Sequence, residues 1–153
     1  LPITLDRIDE LGINCTIWTG RVTRDQALAY PLQIDPAAPE TGCDWINYFH
    51  PDADLSDLDA TTLLELLEVL RPVVAALRDK GDLRVTLVSG SRYLDPLLSV
   101  WKTIAETDAD YAAKPVFVKS VAAAVRQLGR TEEEAARAQA WMTLRLAAIE
   151  AAG

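Results

Sequence analysis

The stretch Asp59-Ala-Thr-Thr-Leu-Leu-Glu-Leu-Leu-Glu-Val-Leu-Arg-Pro-Val-Val-Ala-Ala-Leu-Arg-Asp-Lys80, followed after Gly81 by Leu83-Arg-Val-Thr-Leu-Val-Ser89, decides the fold class. Its first part reads as one long helix. Asp59, or the box Thr62-Leu-Leu-Glu65, offers a start, and Gly81 suits the left-handed position that closes a helix. Apolar residues fall on nearly every side of it, so the expectation is a helix covered on more than one face. Pro72 withdraws a donor from Glu68 and crowds it, which predicts a kink or a break. Leu83 to Ser89 reads as a strand, and so does Cys43 to Phe49, where Trp45, Ile46, Tyr48 and Phe49 precede Pro51. A helix between two strands implies a mainly parallel sheet with a covering helix.

Working outward, the N-terminal side opens with a hairpin. Ile3, Leu5 and Ile8 alternate imperfectly, Glu10-Leu-Gly12 turns, and Ile13 to Thr19 alternates as a half-buried strand. Thr23-Arg-Asp-Gln26 is a capping box for a short helix that fails near Pro31, and Pro36 and Pro39 mark a loop. On the C-terminal side, Ser89-Gly-Ser91 turns into a helix carrying Leu94, Leu97, Leu98, Val100, Trp101 and Ile104. Pro115 to Val118 is a short strand, and a helix bearing Val121, Val125 and Leu128 stops at Gly129. Thr131-Glu-Glu-Glu134 caps a last helix of roughly 30 Å. Its stripe of Ala135, Ala138, Met142, Leu146 and Ile149 must bury against its own sheet or a second subunit, and a dimer contact is the favoured expectation. The expected order is ββαβαβαβα plus one helix: an α/β fold with a mixed, mainly parallel five-stranded sheet. Residues 1–129 form the domain and 130–153 a helical extension.

Composition limits the function. The 153 residues are 50% hydrophobic and 25% charged, a globular balance for one domain. The longest uncharged run, Leu11 to Gly20, is too short for a membrane span. The net charge is −8, and no Lys or Arg stands between Arg24 and Arg71, where ten acidic residues do. Such a region repels nucleic acid and anionic lipid. It reads as a solvated face or a docking face for a basic partner. Cys15 and Cys43 lack metal or redox spacing. Leu1 to Glu10 carries three acids and one Arg with no apolar run, so a cytoplasmic setting without a leader is expected.

The chemical motifs are sparse. His50, the only histidine, lies beside Asp52 and Asp54, a set able to bind a metal or act as a base only with partners from elsewhere. Tested as a calcium loop from Asp52, the chain places Asp57 where Gly is needed and Leu63 where a bidentate Glu is needed. Ser89, Gly90 and Ser91 stand where a strand turns into a helix, a favourable place for an anion, with an ordinary Ser91 N-cap as the simpler reading. No nucleophile motif or phosphate loop is present. The expectation is a non-enzymatic protein without a cofactor or a metal.

Trp18-Thr-Gly-Arg-Val-Thr-Arg-Asp25, the strand Trp45 to Phe49 leading into Asp54-Leu-Ser-Asp-Leu58, the strand Leu83 to Ser89, and Val116-Phe-Val118 before Ala122-Ala-Ala-Val-Arg-Gln-Leu-Gly129 carry a family resemblance. Over about residues 3–129 the chain resembles the STAS/SpoIIAA-like group, the bacterial anti-sigma-factor antagonists and their uncharacterised relatives. The resemblance implies a regulatory, protein-binding role. In partner-switching members a serine in a D-S-S-G-like turn is phosphorylated. Asp59-Ala60-Thr61-Thr62 stands at that place without either serine or the glycine, leaving Thr61 or Thr62 as the acceptor. Asp54, Ser56, Asp57 and Asp59 complete the implied partner-binding loop. Divergent relatives with a lipid-binding outline imply the alternative, a carrier or sensor of a small hydrophobic molecule. The apolar helix 60–80, with Trp18, Trp45 and Trp101, would line its pocket.

Overall fold

The computed structural model describes residues 1–111 and 113–153. Strands β1 (Ile3–Ile8) and β2 (Ile13–Trp18) form the antiparallel hairpin, with Gly12 in the left-handed conformation (φ +66°) at the turn. Helix α1 (Arg24–Ala29) starts from the Thr23 capping box and tightens into a 3-10 turn over Tyr30–Gln33, where Pro31 takes an early position. Then follow β3 (Asp44–Phe49), α2 (Ala60–Lys80), β4 (Arg84–Ser89), α3 (Asp95–Thr107), β5 (Pro115–Val118), α4 (Val121–Gln127) and α5 (Glu132–Ala152). The five strands lie in chain order, β1-β2-β3-β4-β5, and every pair after the hairpin is parallel.

Two apolar layers sandwich the sheet. Helices α1, α2 and α3 cover one face, over Trp18, Phe49 and Leu87; α4 and α5 cover the other, over Ile13, Cys15, Ile17, Ile46 and Val88. The alternation of β2 and β3 sorts their side chains between these layers, as the two-residue period of a strand requires. Cys15, fully buried under α4 and α5, has its thiol pKa pushed up to about 12, by burial first and the Asp6 charge second.

Two expectations are corrected and two that were left open are narrowed. Helix α2 buries a single stripe, Leu63, Leu66, Leu67, Leu70, Val74 and Leu77, and leaves Leu64 52% exposed, so it is covered on one face only. It runs through Pro72 without a break; that residue is exposed, and water can take the carbonyl it leaves free. The N-cap is Asp59, whose carboxylate accepts from the Thr62 amide (2.8 Å), so Thr62 is an interior residue and opens no box. Helix α3 begins at Asp95, with Pro96 in its first turn, and Ser91 caps nothing.

The last helix finds its cover within the same chain. Ala135, Ala138 and Met142 pack against α4 and the sheet, each essentially solvent-free. Polar ties pin both ends: Arg145 pairs with Asp6 of β1, and Arg130 reaches the Leu11 carbonyl (2.7 Å) and Asp44 (3.0 Å). Asp44 also takes a two-point contact from Arg84 at 3.0 Å for both bonds, so one carboxylate joins β3, β4 and the start of α5. Of the rest of the stripe, Leu146 and Ile149 pack against the same layer and stay partly exposed. Among the described residues no helix is long and apolar enough to cross a membrane.

Candidate functional site

Between the sheet and helices α2 and α3 lies a cavity of about 100 Å³. Its floor comes from alternate residues of the parallel strands: Thr16 and Trp18 of β2, Trp45, Asn47 and Phe49 of β3, and Val85 and Leu87 of β4. Its roof is the α2 stripe from Leu63 to Leu77 with Leu97, Leu98 and Trp101 of α3. Six of the chain's ten aromatic side chains line it, including three of the four tryptophans, which gives the space flat, polarisable walls. Trp18 stacks on Phe49 and meets Tyr30 edge to face, both at 5.2 Å between centroids; Trp101 meets Tyr111 edge to face at 6.1 Å.

Among the described residues no charged side chain lines the cavity, but a few polar groups do. Thr16 and Asn47 are register partners side by side on the floor. The Tyr30 and Tyr111 hydroxyls have their pKa values raised, both chiefly by burial, with the Tyr30 charge adding to the rise at Tyr111. They stay neutral wherever tyrosine ordinarily would. The Trp18 side chain, 4% exposed, carries an indole N–H with no hydrogen-bond partner. A buried donor left alone costs about 1–3 kcal/mol, so this one is an unmet demand for an acceptor. Trp45, by contrast, donates to the Gly42 carbonyl at 2.8 Å.

The acidic loop forms the lip. Leu55 and Leu58 turn inward and line the cavity, while Asp54 and Ser56 face an outer groove with Tyr93, Leu94, Pro96, Leu97 and Val100. Leu55, Leu58 and Leu97 border both spaces, so one thin apolar wall separates them. The loop is pinned. Gly20, left-handed at φ +61°, places its carbonyl to accept from the Asp54 amide (2.8 Å), and the Val22 amide donates to the Asp54 carbonyl (3.0 Å). The Asp54 carboxylate has its pKa lowered by hydrogen bonds from the Ser56 side chain first and the Ser56 amide (3.0 Å) second, and Arg21 pairs with Asp57 at 3.2 Å.

The residues of the implied phosphoacceptor turn separate. Thr61 is exposed in the first turn of α2. Thr62 is 3% exposed, and its hydroxyl donates to Asp59 at 2.9 Å, which takes it out of a kinase's reach. Hydrogen bonds from Thr62 also lower the Asp59 pKa. At the Ser89-Gly90-Ser91 turn the Ser89 hydroxyl is taken up locally, accepting from the Ser91 amide (3.3 Å). Asp95 already places an anion in the first turn of α3, and Pro96 removes a donor, so this helix start is poor for an external anion.

His50 sits elsewhere, in a groove between the β1–β2 edge and the end of α5. Its Nδ1 lies 2.6 Å from Asp52 and its Nε2 3.8 Å from Glu150, so carboxylates flank both ring nitrogens. The hydroxyls facing that groove belong to Thr4 and Thr19, and neither is hydrogen-bonded to the ring. No cluster of three or more metal-ligating side chains occurs among the described residues.

Compared with known proteins, the chain matches no family model, no curated protein and no solved structure. The STAS/SpoIIAA-like resemblance accordingly rests on the sequence motifs alone.

Sequence reasoning named Trp18, Trp45 and Trp101 but missed Tyr30, Asn47 and Tyr111. The signal for Asn47 was present: a polar residue alternating with Trp45 and Phe49 on the inward face of a central strand. Tyr30 comes from a short 3-10 turn and Tyr111 from a loop, and no periodicity reveals where either points.

Proposed function

We propose that the chain is a non-enzymatic binding module that holds a small, apolar-bodied molecule between its sheet and α2, and signals occupancy through the acidic loop. The observation that carries this is the aromatic-walled cavity of about 100 Å³. An engineered cavity of about 150 Å³ holds benzene or xenon, whereas drug-sized ligands fill about 300–1,000 Å³. The occupant is therefore of benzene size, and a long lipid chain does not fit. The sheet offers rigid walls, so the cavity is preorganised and its filling costs little ordering.

A second reading, the regulatory protein-interaction module, is favoured by the outer groove. Tyr93 is 95% exposed there, in a groove that Leu97, Val100 and Asp54 also line. That combination suits a protein segment carrying basic residues and one apolar anchor. The two readings join at Leu55 and Leu58: a guest pressing on them from within changes the surface that a partner meets.

Thermal unfolding with benzene tests the cavity. At tenfold over its dissociation constant, a guest should raise Tm by about 3–6 °C. Leu70→Phe, which fills the space from α2, should abolish that rise. An unchanged Tm for the native chain at saturating benzene overturns the proposal. Charge reversal at Asp54 and Asp57 should weaken capture of a basic partner, and unchanged capture would remove the second reading.

A further inference from the structure

Asn47 occupies an inward position of the central strand where an apolar residue is expected, and it narrows the ligand class. We infer that the occupant is an uncharged ring of benzene size that carries a hydrogen-bond donor beside an acceptor, as a cyclic amide does, and pairs both with the Asn47 carboxamide. This rests on the cavity being a ligand site, and goes beyond it by specifying the chemistry.

Three observations converge on Asn47. It alternates with Trp45 and Phe49 on the α2 face of β3, and all three line the cavity. Its neighbours across the sheet are Thr16 on β2 and Leu87 on β4. Those four surrounding side chains are buried, whereas Asn47 keeps part of its own surface open. The space that it opens onto is the cavity, since the sheet lies behind it and α2 in front. Lastly, among the described residues no group bonds to the Asn47 amide, although Asp44 and Trp45 on the same strand are both satisfied.

A carboxamide presents donors and an acceptor side by side. Under an apolar roof an unpaired one is a standing cost that leucine, of similar size, would avoid. A single polar atom in the ligand meets only half of that demand. An N–H next to a C=O meets both halves through two parallel bonds, which also fix how the ring lies. The aromatic pairs Trp18 with Phe49 and Trp101 with Tyr111 give flat walls suited to a ring. No charged side chain among the described residues lines the space, so an ionised ligand would find no counter-charge.

The test compares 2-pyridone with toluene near neutral pH. Both are uncharged six-membered rings with one further non-hydrogen atom, and only 2-pyridone carries the N–H and C=O pair. Dissociation constants are measured by two-dimensional NMR titration of the native chain and of Asn47→Leu. We expect Asn47→Leu to weaken 2-pyridone about tenfold and to leave toluene within about twofold. In the native chain, 2-pyridone should move the Asn47 side-chain NH2 resonances downfield and toluene should not. If Asn47→Leu fails to fold, that difference within the native chain decides by itself. Binding of toluene alone, or of both rings with neither the downfield shift nor the selective loss, overturns the cyclic-amide inference and leaves the cavity reading intact. Binding of neither ring overturns both.

Discussion

Trp18 and Phe49 end adjacent parallel strands with their rings stacked at 5.2 Å, and the Trp18 indole N–H beside them meets no acceptor. Strand register places both side chains on the α2 face, where the chain concentrates its aromatic residues. That concentration is the physical basis for reading the molecule as a receptor for a small planar guest.

Acid stability should report the ion pair behind this site. Arg71 of α2 grips Asp108, the residue after α3, with bonds of 3.1 and 2.6 Å, and this holds the Asp108 carboxyl at a pKa of about 2. Because the folded value lies below the ordinary 3.9, the contribution is complete above about pH 4 and disappears as the pH falls towards 2. Urea unfolding should show a native midpoint that drops over this range, and Asp108→Asn should start lower and drop less.

Ligand affinity should be insensitive to alkali. Burial raises the pKa values of the Tyr30 and Tyr111 hydroxyls, so neither ionises near pH 10, where an ordinary tyrosine does. Benzene affinity measured from pH 7 to 10 should be flat. A fall centred near pH 10 would show that these hydroxyls are open to water.

How far the sequence foretells this architecture follows from what each residue senses. Thr23 with Gln26, and Thr131 with Glu134, are local pairs that close on themselves, and both boxes form as read. The strands Ile13–Trp18 and Pro115–Val118 were legible because β-branched and aromatic runs have few other stable arrangements. Leu64 was misjudged because hydrophobicity reports what a helix can bury, not how many neighbours arrive to cover it. The α5 stripe allowed two partners, and only the ties from Arg130 to Asp44 and from Arg145 to Asp6, far apart in the chain, decide for its own domain. The cavity was foreshadowed by three tryptophans. Its polar floor depended on which side chains share a face across β2 and β3.

The thiols should differ sharply. Cys15 is fully buried with its pKa at about 12, whereas Cys43 is partly exposed and donates to the Leu77 carbonyl (3.3 Å). A disulfide reagent at pH 8 should modify Cys43 first and reach Cys15 only at the global unfolding rate. Equal rates in native buffer would contradict the packing under α4 and α5.

The C-terminal helix should be integral to the fold. Met142 is 1% exposed in the layer formed with Val121, Val125 and Leu128. Met142→Ala should cost about 2–5 kcal/mol in chemical unfolding. A chain ended after Gly129 should aggregate, because it uncovers the Ile13, Cys15 and Ile17 face. A stable, soluble truncation would show that α5 is dispensable.

The most direct measurement is diffraction from crystals of the native chain held under xenon pressure. The account predicts a xenon atom between the β2–β3 floor and the α2 stripe, in contact with Leu66 or Leu70, and its loss in Leu70→Phe. Xenon bound elsewhere with that space closed by side chains would contradict it.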